Sequence, residues 1–276
     1  MKPILSLKTI DSSRNPSILL SFDIEEFDMP FEYGKILPFE EQLSISAQGT
    51  RIILDLLERF SVKATFFCTA NFAQNRPELI LEMVSKGHEI GSHGFYHSEF
   101  EDSDLAKSKI ALENLSNKKV IGFRMPRMAP VNLKALKEAG YFYNSSINPT
   151  YLPGRYNHLD KPRTYFLEEG TLQIPSSVSP NFRFPLFWLS FHNFPFSLLK
   201  PICFQTLKND GYLNLYFHPW EFTDLQDVEK LGMPWYVRKR SGQGMENQLI
   251  RLLDWAKKKG YRFETLQDFT QEIDKI

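Results

Sequence analysis

Residues 17–28 read SILLSFDIEEFD: an apolar run, Ser17–Phe22, opens at once into the acids Asp23, Glu25, Glu26 and Asp28. A continuous apolar run, rather than alternation, predicts a strand buried on both faces, as in a parallel sheet between layers of helices. Acids at the end of such a strand lie where α/β folds gather their active sites. Side chains of an extended segment repeat every two residues, so Asp23 and Glu25 point the same way. Two readings stand: a solvated acidic loop, or two carboxylates of which one holds a metal and the other takes a proton.

Working outward, Val62–Cys68 and Leu213–Phe217 are two more buried strands, and Val120–Phe123 and Tyr261–Phe263 are shorter ones. Helical spacing places Ile52, Ile53, Leu56, Leu57 and Phe60 on one face of Gln48–Phe60. Further helices are predicted at Pro77–Lys86 before Gly87, Asp102–Leu115, Asn132–Ala139 before Gly140, Asn247–Lys259 before Gly260, and Thr265–Ile276. Strand and helix in alternation predict a mainly parallel sheet covered by helices, and about seven strands suit a closed or nearly closed α/β barrel. No linker or repeat interrupts the chain, so residues 1–276 are read as one domain. The proline-rich stretch 148–180 is read as ordered loop with short strands, because it carries Tyr, Phe and Leu throughout.

Composition narrows the function. The 276 residues hold 33 Lys plus Arg and 33 Asp plus Glu, a net charge of zero, which argues against a basic nucleic-acid-binding surface. Two cysteines cannot build a disulfide framework, and Cys68 sits in an apolar run as a core thiol. No secretory leader is visible in MKPILSLKTIDSSRNPS, which sets a cytoplasmic location as the expectation. Gly242 and Gly244 form no phosphate loop, and no Gly-x-Ser-x-Gly elbow occurs.

Three more clusters close predicted strands. His88-Glu89-Ile90-Gly91-Ser92-His93-Gly94-Phe95-Tyr96-His97 offers two histidines four apart, which can face one cation if the segment turns helically, or be surface chance; His88 reads as structural. Arg124, followed by Pro126, is either a surface ion pair or a planar fork holding a carboxylate. His218 in Leu213–Glu221 is either a satisfied rim histidine or a general acid or base. Together they supply an acid, three metal-type ligands, an arginine and a distal histidine, an inventory that fits hydrolysis by a metal-activated water.

In these residues the chain resembles the polysaccharide deacetylase family, the carbohydrate esterases that share the NodB homology domain, from about residue 16 to 270. The resemblance implies a distorted (β/α)7-type barrel and metal-dependent removal of N-linked acetyl groups from amino sugars. Ser21-Phe22-Asp23-Ile24-Glu25 resembles the first motif: Asp23 is then the base and Glu25 a ligand, in the subset that spaces its two acids by one residue, with Glu26 the fallback. His93 and His97 are similar to the metal histidines, and Arg124-Met125-Pro126 to the motif whose arginine orients the base. Tyr143-Asn144-Ser145-Ser146 has Asn144 where many members have an acid, and Leu215–His218 resembles the last motif. The departure at Asn144 puts in question which group polarises His218; Glu221 in His218-Pro219-Trp220-Glu221 is a substitute. The resemblance thus implies Asp23, His218 and Arg124 as catalytic residues and Glu25, His93 and His97 as ligands of a divalent metal, most simply Zn²⁺, with Ni²⁺, Co²⁺ or Mn²⁺ as alternatives. Trp220, Glu221, Pro126 and Asn144 are expected to contact an N-acetylated sugar or glycan.

Two stretches stand apart. Residues 184–199 (FPLFWLSFHNFPFSLL) carry no acidic or basic side chain other than His192 and are too short and proline-broken to span a bilayer. They are read as a buried insertion or cleft lid, or as an aromatic surface meeting a membrane or a lipid-linked substrate. Arg238-Lys239-Arg240 is a solvated loop or a contact for a diphosphate on a carrier- or nucleotide-linked sugar. The expected role is therefore a carbohydrate N-deacetylase of surface-polysaccharide synthesis. Its rivals are a deformylase or allantoinase-like amidohydrolase on the same scaffold and an inactive glycan-binding member. Oligomeric state is not legible in the sequence.

Overall fold

The computed structural model describes residues 15–273 and the short strand Leu5–Ser6. The rest of the stretch read for a leader, and residues 274–276 of the last expected helix, lie outside the described residues. In chain order the strands are β1 (Leu5–Ser6), β2 (Ser17–Ile24), β3 (Thr65–Cys68), β4 (Glu89–Ser92), β5 (Gly122–Phe123) and β6 (Tyr143–Asn144). They continue as β7 (Tyr151–Leu152), β8 (Tyr156–Asn157), β9 (Phe166–Glu168), β10 (Thr171–Gln173), β11 (Tyr212–Phe217) and β12 (Arg262–Glu264).

β2 pairs with β3, β11 and β12 and is buried along its whole length, as its uninterrupted apolar run requires. Parallel pairing runs from β11 through β2, β3, β4, β5 and β6 to β10, with β12 beside the first half of β2. Beyond β10 the sheet continues antiparallel through β9 to β1. The parallel run curls until the chain after β10 meets β11, where Ser177 N–H donates to the Asn214 carbonyl at 2.9 Å. The Asn214 amide spans the same seam to the Pro175 carbonyl at 3.0 Å. The architecture is α/β, a distorted barrel of the expected type. Helices Phe39–Arg59, Pro77–Ser85, Ser103–Ser116, Phe196–Asp210 and Gln243–Lys258 cover its outside. Ile53, Leu54 and Leu57 join Phe22, Phe66 and Phe217 in one core.

The differences from expectation have local causes. The first long helix begins at Phe39, nine residues before the expected Gln48, since its first turn, with Glu40, Glu41 and Gln42, carries little apolar signal. Its Gly49 permits close packing: a Cβ there would sit 1.8 Å from the Pro219 carbonyl oxygen. Phe196–Asp210 is helical despite Pro201 inside it, because tertiary packing outweighs one lost backbone bond. β2 runs two residues further than Ser17–Phe22, which places Asp23 on the strand itself.

Register then sets the rim. Ile24 pairs with Cys68, Cys68 with Ser92, Ser92 with Phe123 and Phe123 with Asn144. The next residue of each strand, Glu25, Thr69, His93, Arg124 and Ser145, therefore emerges at one level. Phe217 pairs with Phe22, which puts His218 beside Asp23 in the same way.

Candidate active site

At this rim the ligating atoms of Glu25, His93 and His97 lie within 4.8 Å of one another. The Nε2 atoms of His93 and His97 stand 3.2 and 3.1 Å from Glu25 Oε2. Each Nδ1 is engaged elsewhere: His93 donates to the Arg124 carbonyl at 2.8 Å, His97 to Asp28 Oδ1 at 2.7 Å. Those bonds fix the tautomer and leave both Nε2 lone pairs for a cation. The segment from His93 to His97 is not helical, contrary to the simplest geometry for a pair four apart. It bends at Gly94, where φ is +82°, and brings the two rings into a stack 5.5 Å apart.

Burial is the largest influence on Glu25 and opposes its charge, yet His97, His218 and His93 outweigh it and hold the carboxyl well below its usual range. Burial likewise disfavours charge on His97, while Glu25 and Asp28 raise its pKa. Trp220 Nε1–H donates to Glu25 Oε1 at 3.1 Å. Glu26 turns away to Thr69 and Asn71, so the fallback ligand has another job.

Asp23 and His218 flank this group. Arg124, fully buried, donates from Nη1 to Asp23 Oδ1 at 2.7 Å and is anchored through Nε to the Ser145 carbonyl at 2.9 Å. His218 Nε2 lies 3.8 Å from Asp23 Oδ2, and its Nδ1 bonds Glu221 Oε1 at 2.8 Å. Burial alone would lower the His218 pKa; Glu25, Glu221 and Asp23 together lift it to about 9. Glu221 thus occupies the place on His218 for which Asn144 lacks an acid. The Asn144 amide donates instead to Gln173 Oε1 at 2.8 Å.

Asp23, Glu25, His93, His97 and His218 open on a cavity of about 260 Å³ walled by Tyr33, Phe187, Trp188 and Tyr216, while Arg124 stays buried behind Asp23. The four residues expected to touch substrate do not line it. Trp220 and Glu221 are fully buried behind Glu25 and His218, and Pro126 and Asn144 are buried in the barrel wall. They support the site from behind because the turn after β11 folds back under its own histidine. The 184–199 insertion instead supplies Phe187, Trp188 and Leu189 as cavity wall, with Phe191, Phe196 and Leu199 buried in the core. No helix among the described residues is long and apolar enough to cross a membrane.

Sequence reasoning gave no role to Asp28 and Arg127. Arg127 sits at φ +57°, a left-handed conformation uncommon for a residue with a Cβ. That turn sends its guanidinium to Asp28 Oδ2 at 2.9 Å and Glu32 Oε1 at 3.1 Å. The closeness of Asp28 to the acid motif was the only available signal.

The model of the family described as polysaccharide deacetylase matches residues 12–143. A peptidoglycan-N-acetylmuramic acid deacetylase of Bacillus subtilis is 31% identical over 99 residues, 32% of this chain and 38% of that protein. A chitooligosaccharide deacetylase of Sinorhizobium fredii is 30% identical over 137 residues, 49% of this chain and 54% of that one. The matches thus span about half or less of these relatives' lengths. Among solved structures, a Mycobacterium smegmatis protein provisionally named a polysaccharide deacetylase superposes over 98% of this chain and 95% of its own, with a TM-score of 0.64 at 17% identity. A family 4 carbohydrate esterase of Bacillus anthracis covers 96% and 86%, with a TM-score of 0.51 at 18% identity. Barrel, rim motifs and matches agree: residues 12–143 are similar to the polysaccharide deacetylase family, and the superpositions extend the same fold over nearly the whole chain.

Proposed function

We propose that the protein removes an N-linked acetyl group from an amino-sugar unit of a glycan or its carrier-linked precursor, with a divalent cation held by Glu25, His93 and His97. The observation that carries this reading is one cavity wall combining that ligand triad with Asp23 on one flank and His218 beside it, 3.8 Å from Asp23 Oδ2. Two imidazoles with free Nε2 atoms and one carboxylate oxygen make a donor set suited to Zn²⁺, with Ni²⁺, Co²⁺ and Mn²⁺ also served by it. A cation there supplies Lewis-acid polarisation of the amide carbonyl and eases ionisation of a water.

The chain's own residues do the rest. Asp23 has Oδ1 tied to Arg124, which leaves Oδ2 to accept the proton of the attacking water. Arg124 cannot swing, since Ser21 and Ser145 hold its other donors, so it fixes the angle of Asp23. His218, raised to about 9, carries a proton at neutral pH and passes it from Nε2 to the departing amine. Phe187, Trp188 and Tyr216 exclude water around that step.

Acetate release from an N-acetylglucosamine oligosaccharide by the metal-loaded protein tests the reading. Asp23→Asn is expected to keep the metal and lose about 10²–10⁴-fold in kcat; full activity would remove Asp23 as the base. Formate or a ureide product from the matching substrates, with no acetate released, would point to another amidohydrolase.

A further inference from the structure

His192 lies in the aromatic insertion, and neither the family motifs nor the proposed chemistry uses it. It is fully buried, as is Glu221. Glu221 Oε1 already accepts from the His218 backbone N–H at 2.6 Å and lies 2.8 Å from His218 Nδ1. Its second oxygen, Oε2, has no aligned hydrogen bond among the described residues, and neither has either ring nitrogen of His192. The two lie against each other, His192 Nε2 standing 3.3 Å from Glu221 Oε2. A buried carboxylate oxygen and a buried ring N–H are each costly when left unpaired, and each is the other's partner within reach. The His192 ring is confined by the edge of Trp188, 5.8 Å between centroids, and Trp188 meets His218 in the same edge-on manner at 5.4 Å. Arg240 holds the His192 backbone carbonyl, which fixes the residue's place.

We infer that His192 is a positioning residue of the active site: it donates from Nε2–H to Glu221 Oε2 and so fixes the carboxylate that orients His218. The inference rests on the reading of His218 as the proton donor to the leaving amine. It gives the insertion two jobs, since the short helix Trp188–Asn193 presents Trp188 to the cavity and His192 to the rear of the acid. Without that bond Glu221 can rotate about its last torsion, and the His218 ring rotates with it while every ligand of the cation stays in place.

The test compares His192→Leu, which removes the donor, with His192→Gln, whose amide nitrogen can take the place of Nε2. Acetate release from an N-acetylglucosamine oligosaccharide, metal content and melting temperature are measured for both full-length proteins. The tautomer of His192 is read from long-range ¹H–¹⁵N spectra of the wild type. The expected result for Leu is a loss of about 10–100-fold in kcat, the size of a lost hydrogen bond to a charged group, with KM and metal content unchanged. Gln is expected to restore kcat to within a few-fold of wild type, and the spectra to show the proton on Nε2.

Equal loss in both variants alongside equal loss of melting temperature would mean that His192 only fills space, and overturns the inference. So would wild-type kcat in His192→Leu, or a proton on Nδ1 with Nε2 bare. If His192→Leu does not fold, the Gln variant and the spectra decide. If the wild type releases no acetate, the proposed function fails, whereas the spectra still decide whether the bond exists.

Discussion

On the side of the proposed metal ligands each group has a fixed partner: His93 is tied to a backbone carbonyl, His97 to Asp28, Glu25 to Trp220, and Asp28 in turn to Arg127. On the acid side His218 depends on one carboxylate, and that carboxylate leans on a histidine borrowed from the insertion. On the first side Glu25 and His93 follow the ends of neighbouring parallel strands, where register brings them to one level, and the bend at Gly94 adds His97. The second is assembled from the turn after β11 and a helix of six residues, which only tertiary packing unites. A ligand set must hold its geometry against a multiply charged ion, whereas a proton donor must also let a proton go. Breaking the two sides should therefore produce different failures, loss of metal on one and loss of turnover with metal retained on the other.

The largest effect belongs to the ligands. His93→Ala is expected to lose the stoichiometric metal and with it several kcal/mol of transition-state stabilisation, a fall of about 10²–10⁴-fold in kcat/KM. Elemental analysis of the purified variant checks this; unchanged metal content would reject the ligand set. Glu221→Gln should do the reverse, keeping the metal while kcat falls about 10–100-fold. Its pH profile carries the sign. Burial is the largest influence on His218 and lowers its pKa, and Glu25, Glu221 and Asp23 raise it to about 9. The protonated form is the active one, so activity is lost as pH rises through that value. Removing the Glu221 charge lowers the pKa, and the basic limb of kcat moves to lower pH. A limb that stays put would take Glu221 out of the acid's support.

The same division explains what could be read beforehand. Buried strands with acids or histidines at their ends were legible because apolar runs and strand-end chemistry are local signals, and parallel register turned them into one rim. Asp23, Glu25, His93, Arg124 and His218 all fall there. The supporting residues were misread for a physical reason. Trp220 and Glu221 come just after His218 and suggest a substrate face, but Pro219, its backbone close against Gly49 of the first long helix, turns them beneath it into the buried interior. His192 is a lone histidine in an apolar run, and nothing within a dozen residues of it announces Glu221. Contacts that cross the barrel leave no trace in spacing.

Asp28→Asn sharpens the comparison on the ion-holding side. It keeps the shape of the side chain and one oxygen but removes the charge that orients His97 and pairs with Arg127. Loss of such a supporting carboxylate weakens metal affinity by about 10–100-fold. Competition with a chelator of known affinity measures it. His218 stands outside this chain of bonds, so once the metal is resaturated, kcat should return to near the wild-type value. A kcat that stays low at saturating metal would mean that the two sides are coupled through Asp28.

The smallest effect is expected where the same chain of charges reaches solvent. Arg155 Nη2 bonds Glu32 Oε2 at 2.6 Å, and Glu32 bonds Arg127, which bonds Asp28, which bonds His97. Asp28 is buried and the outer members are not: the side chains of Asp28, Arg127, Glu32 and Arg155 are 4%, 32%, 23% and 45% exposed. Water screens the outermost pair, and exposed ion pairs contribute about 0–1 kcal/mol. Arg155→Ala should leave metal affinity within about twofold, because Arg127 and Asp28 keep their own bond when Glu32 loses its outer partner. Arg155 also lines the cavity mouth, so its loss should appear in KM rather than kcat. A fall in metal affinity as large as that of Asp28→Asn would show that the chain acts as a single rigid unit from rim to ion, and the protection of His97 would then begin at the surface rather than at Asp28.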